Sequence, residues 1–159
     1  MENFKDFLLK KLLDSYVYLI FDRYREYNTM SVTRDARTCE ASRVYQLTEN
    51  TPLPSQKAML TVSSNKKQLI STICSSIIND EEFHVQHTTR NKLVITGSDD
   101  VPTEIHKGVV IAREDITTSH KEADNIIAQQ AILYAKGHSG ATVVVADDTD
   151  VFILLLFHY

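Results

Sequence analysis

Two apolar runs in this chain end in aspartate, and neither alternates apolar with polar residues. The first is Tyr16–Phe21, which is followed by Asp22, and the second is Thr142–Ala146, which leads into Asp147 and Asp148. A strand without alternation is typical of a parallel sheet that is covered on both faces. We therefore predict an α/β fold in which helices flank a mostly parallel sheet, with acidic residues at the carboxyl ends of both strands.

Helical periodicity occupies much of the sequence between these two strands. Residues 5–14 and 64–79 place apolar side chains near helical spacing. A third helix begins near Glu122 and stops at Gly137, and Ser119-His-Lys-Glu122 has the form of a capping box at its start. We expect one domain over residues 1–159, truncated at both ends because the chain stops inside an apolar run.

Shorter segments predict the remaining elements. Phe83–Thr88 alternates and Lys92–Thr96 has three apolar residues at its centre, so these two segments are predicted as a hairpin or as edge strands. Gly108–Ala112 is a further candidate strand, and Val151–Phe157 fits either a helix or a strand. No signal peptide and no apolar stretch of roughly 20 residues is present, so we expect an intracellular protein, nuclear or cytoplasmic, with no membrane partner.

Charge is divided unequally along the chain. Residues 1–70 carry 11 Lys/Arg against 8 Asp/Glu, and residues 71–159 carry 6 against 13, so the halves contribute +3 and −7 to the net charge of −4. A basic phosphate-contacting face beside an acidic cation site would have this distribution, and so would two unequal solvated surfaces. Arg34 and Arg37 share a helix face at i, i+3 spacing, which predicts either contacts with phosphates of DNA or RNA or a solvated charged helix.

The acidic residues predict a metal site. In open α/β sheets, sites form at the carboxyl ends of strands, and a short turn returns the start of the third helix to that edge. Glu122, Asp124, Asp148 and Asp150 are therefore expected close together, and Asp22 joins them if its strand is a parallel neighbour. Clustered carboxylates need a cation, and hard oxygen ligands select Mg²⁺ or Mn²⁺. We predict all five acids as metal ligands, and all except Asp22 as catalytic residues for phosphodiester cleavage.

Each acid also has a structural explanation. Glu122 is the fourth residue of the capping box, and Asp124 suits the positive end of the helix dipole. Asp148 could cap a segment that starts near Thr149, and Asp22 could only end its strand in a turn. These alternatives remain open on sequence alone.

The motifs together resemble the PIN-like/flap-endonuclease superfamily, and within it a group of animal proteins with EEADTR-like and DTDVLVLL-like motifs. The matching pieces are Phe21-Asp-Arg-Tyr24, Thr33-Arg-Asp-Ala-Arg37, Lys121-Glu-Ala-Asp124 and Asp148-Thr-Asp-Val151. The resemblance implies a PIN-like fold in which Glu122, Asp124, Asp148 and Asp150 bind two metal ions. It also implies that Asp22 is the acid after the earlier strand, and that Arg37 and Arg34 steer the scissile phosphate.

The leading hypothesis is thus a nuclease-type domain that depends on Mg²⁺ or Mn²⁺. Lys121 stands where the related motif has its first acid, and two outer aspartates of flap-type enzymes have no counterpart here. These departures favour the alternative, a non-catalytic PIN-like domain for interaction or nucleic-acid binding. A third hypothesis is a sugar-nucleotide transferase with Asp148-Thr-Asp150 as its D-x-D motif.

Overall fold

The structure is a computed structural model that describes residues 2–24, 44–48, 52, 54–97 and 99–158. Among these residues, the first half of the chain contains one strand and four helices: α1 Glu2–Leu12, β1 Val17–Ile20, α2 Gln56–Thr61, α3 Ser63–Ile78 and α4 Glu81–His87. Its second half contains three strands, a 3₁₀ turn and two helices: β2 Leu93–Thr96, β3 Thr103–His106, β4 Val109–Ala112, Glu114–Ile116, α5 Ala123–Gly137 and α6 Thr149–His158. Within these ranges, no helix is both long and apolar enough to cross a bilayer.

The four strands form one mixed sheet in the order β1-β2-β3-β4. β1 pairs with β2 in parallel, with Val17 opposite Leu93, whereas β2 with β3 and β3 with β4 are antiparallel. The α/β class and the flanking helices are confirmed. The mostly parallel sheet is not confirmed, since only one of the three pairings among the described strands is parallel.

Three helices cover one face of the sheet. Their apolar side chains surround the inward-facing residues of β2 and β3 in the main core, which contains Leu8, Leu12, Cys74, Ile77, Phe83, Leu93, Ile95 and Ile105. Gly97 follows β2 and lies against α3, where an added Cβ would stand 2.7 Å from the Cys74 sulfur. A side chain at this position would therefore overlap the core.

α5 covers the opposite face of the sheet. Its Ile126 is fully buried, and the Gln130 side-chain amide donates to the Thr96 hydroxyl at 3.1 Å. The Tyr134 ring meets the Tyr18 ring edge-on at 5.6 Å. These contacts align α5 along β1 and β2, so the start of α5 lies near the carboxyl end of β1.

β3 and β4 join through a tight turn at Lys107-Gly108. Both residues have positive φ, 53° and 74°, as the two central residues of a type I′ hairpin require. β3 also carries the buried Glu104, whose carboxylate pairs with Arg113 and lies 3.3 Å from the Lys92 ammonium. The sequence did not predict β3, because Thr-Glu-Ile-His has one apolar residue only, and the burial of Glu104 depends on partners outside the strand.

Helices α1, α3 and α5 and strands β1 and β4 confirm the corresponding predictions within a few residues. β2 is a strand, as predicted, but it pairs with both β1 and β3, so it is neither an edge strand nor part of a hairpin with Phe83–Thr88. The apolar segment after Asp150 is a helix rather than a strand. The predicted hairpin at Phe83–Thr88 is wrong: this segment is α4, because the Asp80 carboxylate caps the Phe83 amide at 2.9 Å and the first helical turn is acidic.

The prediction of a buried strand at Thr142–Ala146 is also wrong. The segment has no regular secondary structure, and Val143 and Val145 are 83% and 78% exposed. No hydrogen bond joins it to β1 in the described part of the chain. β1, in turn, is half-buried rather than covered on both faces.

Candidate metal centre

Three carboxylates meet near the carboxyl end of β1. Asp124, Asp148 and Asp150 each offer an oxygen that lies within 4.8 Å of those of the other two. Asp124 is in the first turn of α5, Asp150 is in the first turn of α6, and Asp148 immediately precedes α6. Two helix starts therefore converge on this acidic triad, and the positive ends of their dipoles favour negative charge there.

Asp22 connects β1 to the triad. One of its carboxylate oxygens accepts a hydrogen bond from the Ala123 amide at 2.8 Å, and the other accepts from the Tyr24 hydroxyl at 3.0 Å. Asp22 thus caps α5 from a distant part of the sequence. The predicted capping box is wrong, because α5 begins at Ala123 and Glu122, at its N-cap, makes no side-chain capping bond.

Asp148 combines two roles. Its carboxylate accepts a hydrogen bond from the Asp150 amide at 3.0 Å, so it caps the start of α6. The capping alternative is therefore confirmed, and the same side chain is a member of the triad. Glu122 is exposed and lies outside the triad, as does its exposed neighbour Lys121.

The electrostatics of Asp124 reflect this crowding. Partial burial is the largest cause that raises the pKa of its carboxyl group above the usual value, and the negative charges of Asp148, Asp22, Asp150 and Glu122 raise it further. The other four predicted acids therefore lie close enough to raise the pKa of the Asp124 carboxyl group. Neutralising the charge at this point would relieve the repulsion, as a bound cation would do.

Arg23 stabilises the loop that leads into α5. Its guanidinium group donates to the carbonyl oxygens of Thr118, His120 and Asp100, at 2.5, 3.2 and 3.0 Å, and the residue is only 5% exposed. Its backbone amide donates to the Lys121 carbonyl at 2.8 Å. Arg23 thus fixes the loop that leads into α5, rather than presenting a charge to a ligand.

The sequence did not predict this role of Arg23. The available signal was its position three residues after the end of β1, where an arginine can reach several backbone carbonyls of a neighbouring loop. Tyr24 was missed as a partner of Asp22 for a similar reason, since only the folded chain brings its hydroxyl group back to the carboxylate. Arg34 and Arg37, the predicted phosphate contacts, lie outside the described residues.

The donor set fits a hard divalent cation. All three side chains of the triad supply carboxylate oxygens, which favour Mg²⁺, Mn²⁺ or Ca²⁺ over thiophilic metals. Asp147 is exposed and lies outside the triad. The triad could therefore hold a metal ion.

No protein-family model, curated protein or solved structure matches the chain.

Proposed function

We propose that this chain is a nuclease-type domain of the PIN-like kind, which uses Mg²⁺ or Mn²⁺ to cleave phosphodiester bonds in DNA or RNA. The convergence of Asp124, Asp148 and Asp150 at one edge of the sheet carries the proposal. Asp22 and Glu122 contribute further negative charge around it. The motif order FDRY, TRDAR, KEAD and DTDV supports the assignment to the PIN-like superfamily.

In this proposal Asp124, Asp148 and Asp150 hold the cation. When bound, Mg²⁺ or Mn²⁺ polarises a phosphate oxygen and lowers the pKa of coordinated water. Asp22 accepts a hydrogen bond from the Ala123 amide at the first residue of α5. This contact fixes the position of Asp124, the second residue of the helix. The exposure of Asp148 and Asp150 leaves the site open to a polymer that approaches from solvent.

One observation favours a non-catalytic nucleic-acid-binding domain as the second candidate. Glu122 lies outside the triad, so the described triad supplies oxygens for one ion, whereas two-metal cleavage needs ligands for two. Lys121 adds a positive charge beside Glu122 where the related motif has an acid. Such a domain would bind a cation and a nucleic acid without cleaving the chain.

Metal binding is tested by thermal unfolding with Mg²⁺ or Mn²⁺. A ligand at about 100 times its dissociation constant stabilises the folded state by about 2.7 kcal/mol, which corresponds to a rise in melting temperature of about 5–11 °C at this size. Asp148→Asn should abolish the rise. Asp147→Asn is the matched control, because it removes the neighbouring carboxylate from outside the triad and should leave the rise intact.

Cleavage is tested on labelled single-stranded, duplex and flapped oligonucleotides of DNA and RNA. We expect metal-dependent cleavage that falls by at least about 100-fold in Asp148→Asn, more than the loss of a residue that only orients a ligand. Metal-dependent binding without cleavage would instead select the second candidate. Unchanged melting temperatures in both metals would contradict the proposed metal site.

A further inference from the structure

A cavity of about 600 Å³ lies between β1, α5 and residues 142–145. Its wall includes Asp14 and Tyr16, which precede β1, whereas the three acids of the triad, Asp22 and Glu122 do not line it. The volume is within the range of pockets that bind small organic molecules. The cavity is therefore a candidate binding site that is distinct from the metal centre.

Gln130 of α5 brings an unsatisfied polar atom to the wall of this cavity. The residue is only 3% exposed, and its side-chain amide nitrogen donates to the Thr96 hydroxyl at 3.1 Å. Its Oε1 atom is shielded from solvent and accepts no hydrogen bond from the described residues. A buried amide oxygen without a donor is unfavourable, because it has lost water and gained nothing in return. A ligand that donates a hydrogen bond to this oxygen would therefore gain affinity.

The lining of the cavity includes three tyrosine rings, those of Tyr16, Tyr18 and Tyr134. The Tyr18 and Tyr134 rings meet edge-on with their centroids 5.6 Å apart, so they form a corner. Tyr134 also stacks on His138, with centroids 4.0 Å apart and planes inclined by 9°, which holds its ring in this orientation. Aromatic rings favour offset-stacked and edge-on contacts with other rings. We therefore expect a planar aromatic ligand.

The lining offers hydrogen-bond acceptors and, among the described residues, no lysine or arginine. Asp14 carries a carboxylate, and the amide nitrogen of Asn91 donates to the Leu12 carbonyl at 2.7 Å, so the amide of Asn91 is held in place. Burial raises the pKa of the Tyr18 and Tyr134 phenol groups, so both stay neutral at neutral pH. An anion such as phosphate would lose its hydration here and gain no counter-charge. The ligand is therefore neutral and carries donors rather than acceptors alone.

We propose that this cavity binds a neutral, planar heteroaromatic molecule with an N–H donor, of the nucleobase or nucleoside type. The N–H group donates to the Gln130 Oε1 atom, and the ring packs into the corner between Tyr18 and Tyr134. An unstacked base of a nucleic-acid strand has the same ring and donors, but its phosphates would face the acceptors of the lining and the Asp14 carboxylate. The proposal therefore assigns the cavity to the free, uncharged molecule and goes beyond cleavage at the metal centre.

Calorimetric titration of the full chain with adenosine, guanosine, cytidine and uridine tests the proposal. The buffer contains a chelator, so that the outcome does not depend on the metal site. We expect at least one of these nucleosides to bind with a dissociation constant below about 1 mM. Absence of heat and of any thermal shift with all of them at about 5 mM would overturn the proposal.

A matched pair of leucine variants tests the role of the Gln130 oxygen. Gln130→Leu should weaken the tightest nucleoside by about 3–10-fold, as is typical when one hydrogen bond is lost. Gln129→Leu is the control, because Gln129 is exposed and does not line the cavity. Equal affinities in the two variants would refute the hydrogen bond to Gln130.

A second pair tests the location of the site without removing a polar group. Ala131 lines the cavity, so Ala131→Leu fills part of it and should weaken binding by at least about 10-fold through steric overlap. Ala135→Leu, at an exposed position of the same helix outside the lining, should leave the affinity unchanged. Cooperative thermal unfolding without ligand shows that each variant is folded. If both variants bind like the unmodified chain, the nucleoside does not occupy this cavity.

Two further titrations distinguish the source of the base. We expect the matching nucleoside monophosphate and a trinucleotide of the same base to bind at least about 10-fold more weakly than the nucleoside, since the lining offers no basic side chain among the described residues. Tighter binding of the trinucleotide would assign the cavity to a nucleic-acid strand and refute the proposal of a free, neutral ligand.

Discussion

Two features of the site disfavour the charged form of Asp124, namely its partial burial and its acidic neighbours. Burial and four neighbouring carboxylates raise its pKa, so its charged form is disfavoured in the folded chain without a cation. Because the folded pKa is raised, the folded state binds the proton more tightly than the unfolded state. Stability is therefore lost as pH rises through the interval between the ordinary carboxyl pKa and the raised one, and the penalty is fully present at neutral pH.

We expect Asp124→Asn to raise the melting temperature of the metal-free protein at neutral pH by about 2–8 °C, since each of the four like-charge contacts costs about 0.2–0.5 kcal/mol. The same variant should lose the stabilisation by Mn²⁺. Thermal unfolding across acidic and neutral pH, with and without Mn²⁺, measures both effects. A lower melting temperature without metal would show that the carboxylate stabilises the fold by itself.

The core leaves no space for a side chain at Gly97. The Cβ of Gly97→Ala would lie 2.7 Å from the buried Cys74 sulfur, so β2 or α3 must shift. We expect a loss of about 1–3 kcal/mol in the free energy of unfolding, as is typical of overpacked cores. Gly140→Ala is the matched control, because its Cβ would meet nothing within 4 Å. Denaturant unfolding of the two variants gives the comparison, and equal stabilities would show that the core yields at Gly97.

At the scale of elements, the loop before α5 depends on a buried charge. Arg23→Met would leave the carbonyl groups of Thr118, His120 and Asp100 without the donor that now bonds them. An unsatisfied buried polar group costs about 1–3 kcal/mol, so we expect a loss of about 2–4 kcal/mol. Arg90→Met, at an exposed position, should have little effect. Faster hydrogen exchange at residues 118–124 would locate the change, and its absence would contradict the role of Arg23 in fixing this loop.

The sequence predicted the elements whose pattern is local. α3 and α5 have apolar side chains at helical spacing, and β2 begins with three consecutive apolar residues. These local patterns alone identified the three elements. α4 failed because six alternating residues fit a strand, while the deciding feature, the cap at Asp80, lies outside the alternation. Residues 142–146 failed because three valines specify a tendency to pair, but pairing depends on a distant partner strand.

The location of the site could be predicted from the topology, but the contacts of its individual residues could not. Acids that follow strands or start helices could be placed at one edge by topology, and Asp124, Asp148 and Asp150 do meet there. The sequence could not show that Asp22 is engaged as a cap, or that Glu122 lies outside the triad, because both depend on where α5 begins. A shift of one helical position would change which carboxylate points into the cluster.

At the scale of the whole molecule, the surface carries an apolar face that the described chain does not cover. Phe152, Ile153, Leu156 and Phe157 occur at i, i+1, i+4 and i+5 in α6, so they share one face of the helix, and each is at least 60% exposed. Single exposed apolar side chains such as Val85 are ordinary, but contiguous patches promote association. Among the described residues no strand pairs with the outer edge of β1, and this edge and the exposed Val143 and Val145 are further surfaces that promote association.

We therefore expect the chain to associate as its concentration increases, and we expect Phe152→Glu together with Leu156→Lys to reduce that association. The melting temperature should fall by no more than about 4 °C, because each exposed substitution usually changes stability by less than about 0.5 kcal/mol. Val85→Glu is the matched control on α4. Sedimentation velocity over a range of concentrations distinguishes the variants. If the α6 variant and the Val85 variant associate as strongly as the unmodified chain, the exposed face of α6 does not cause the association.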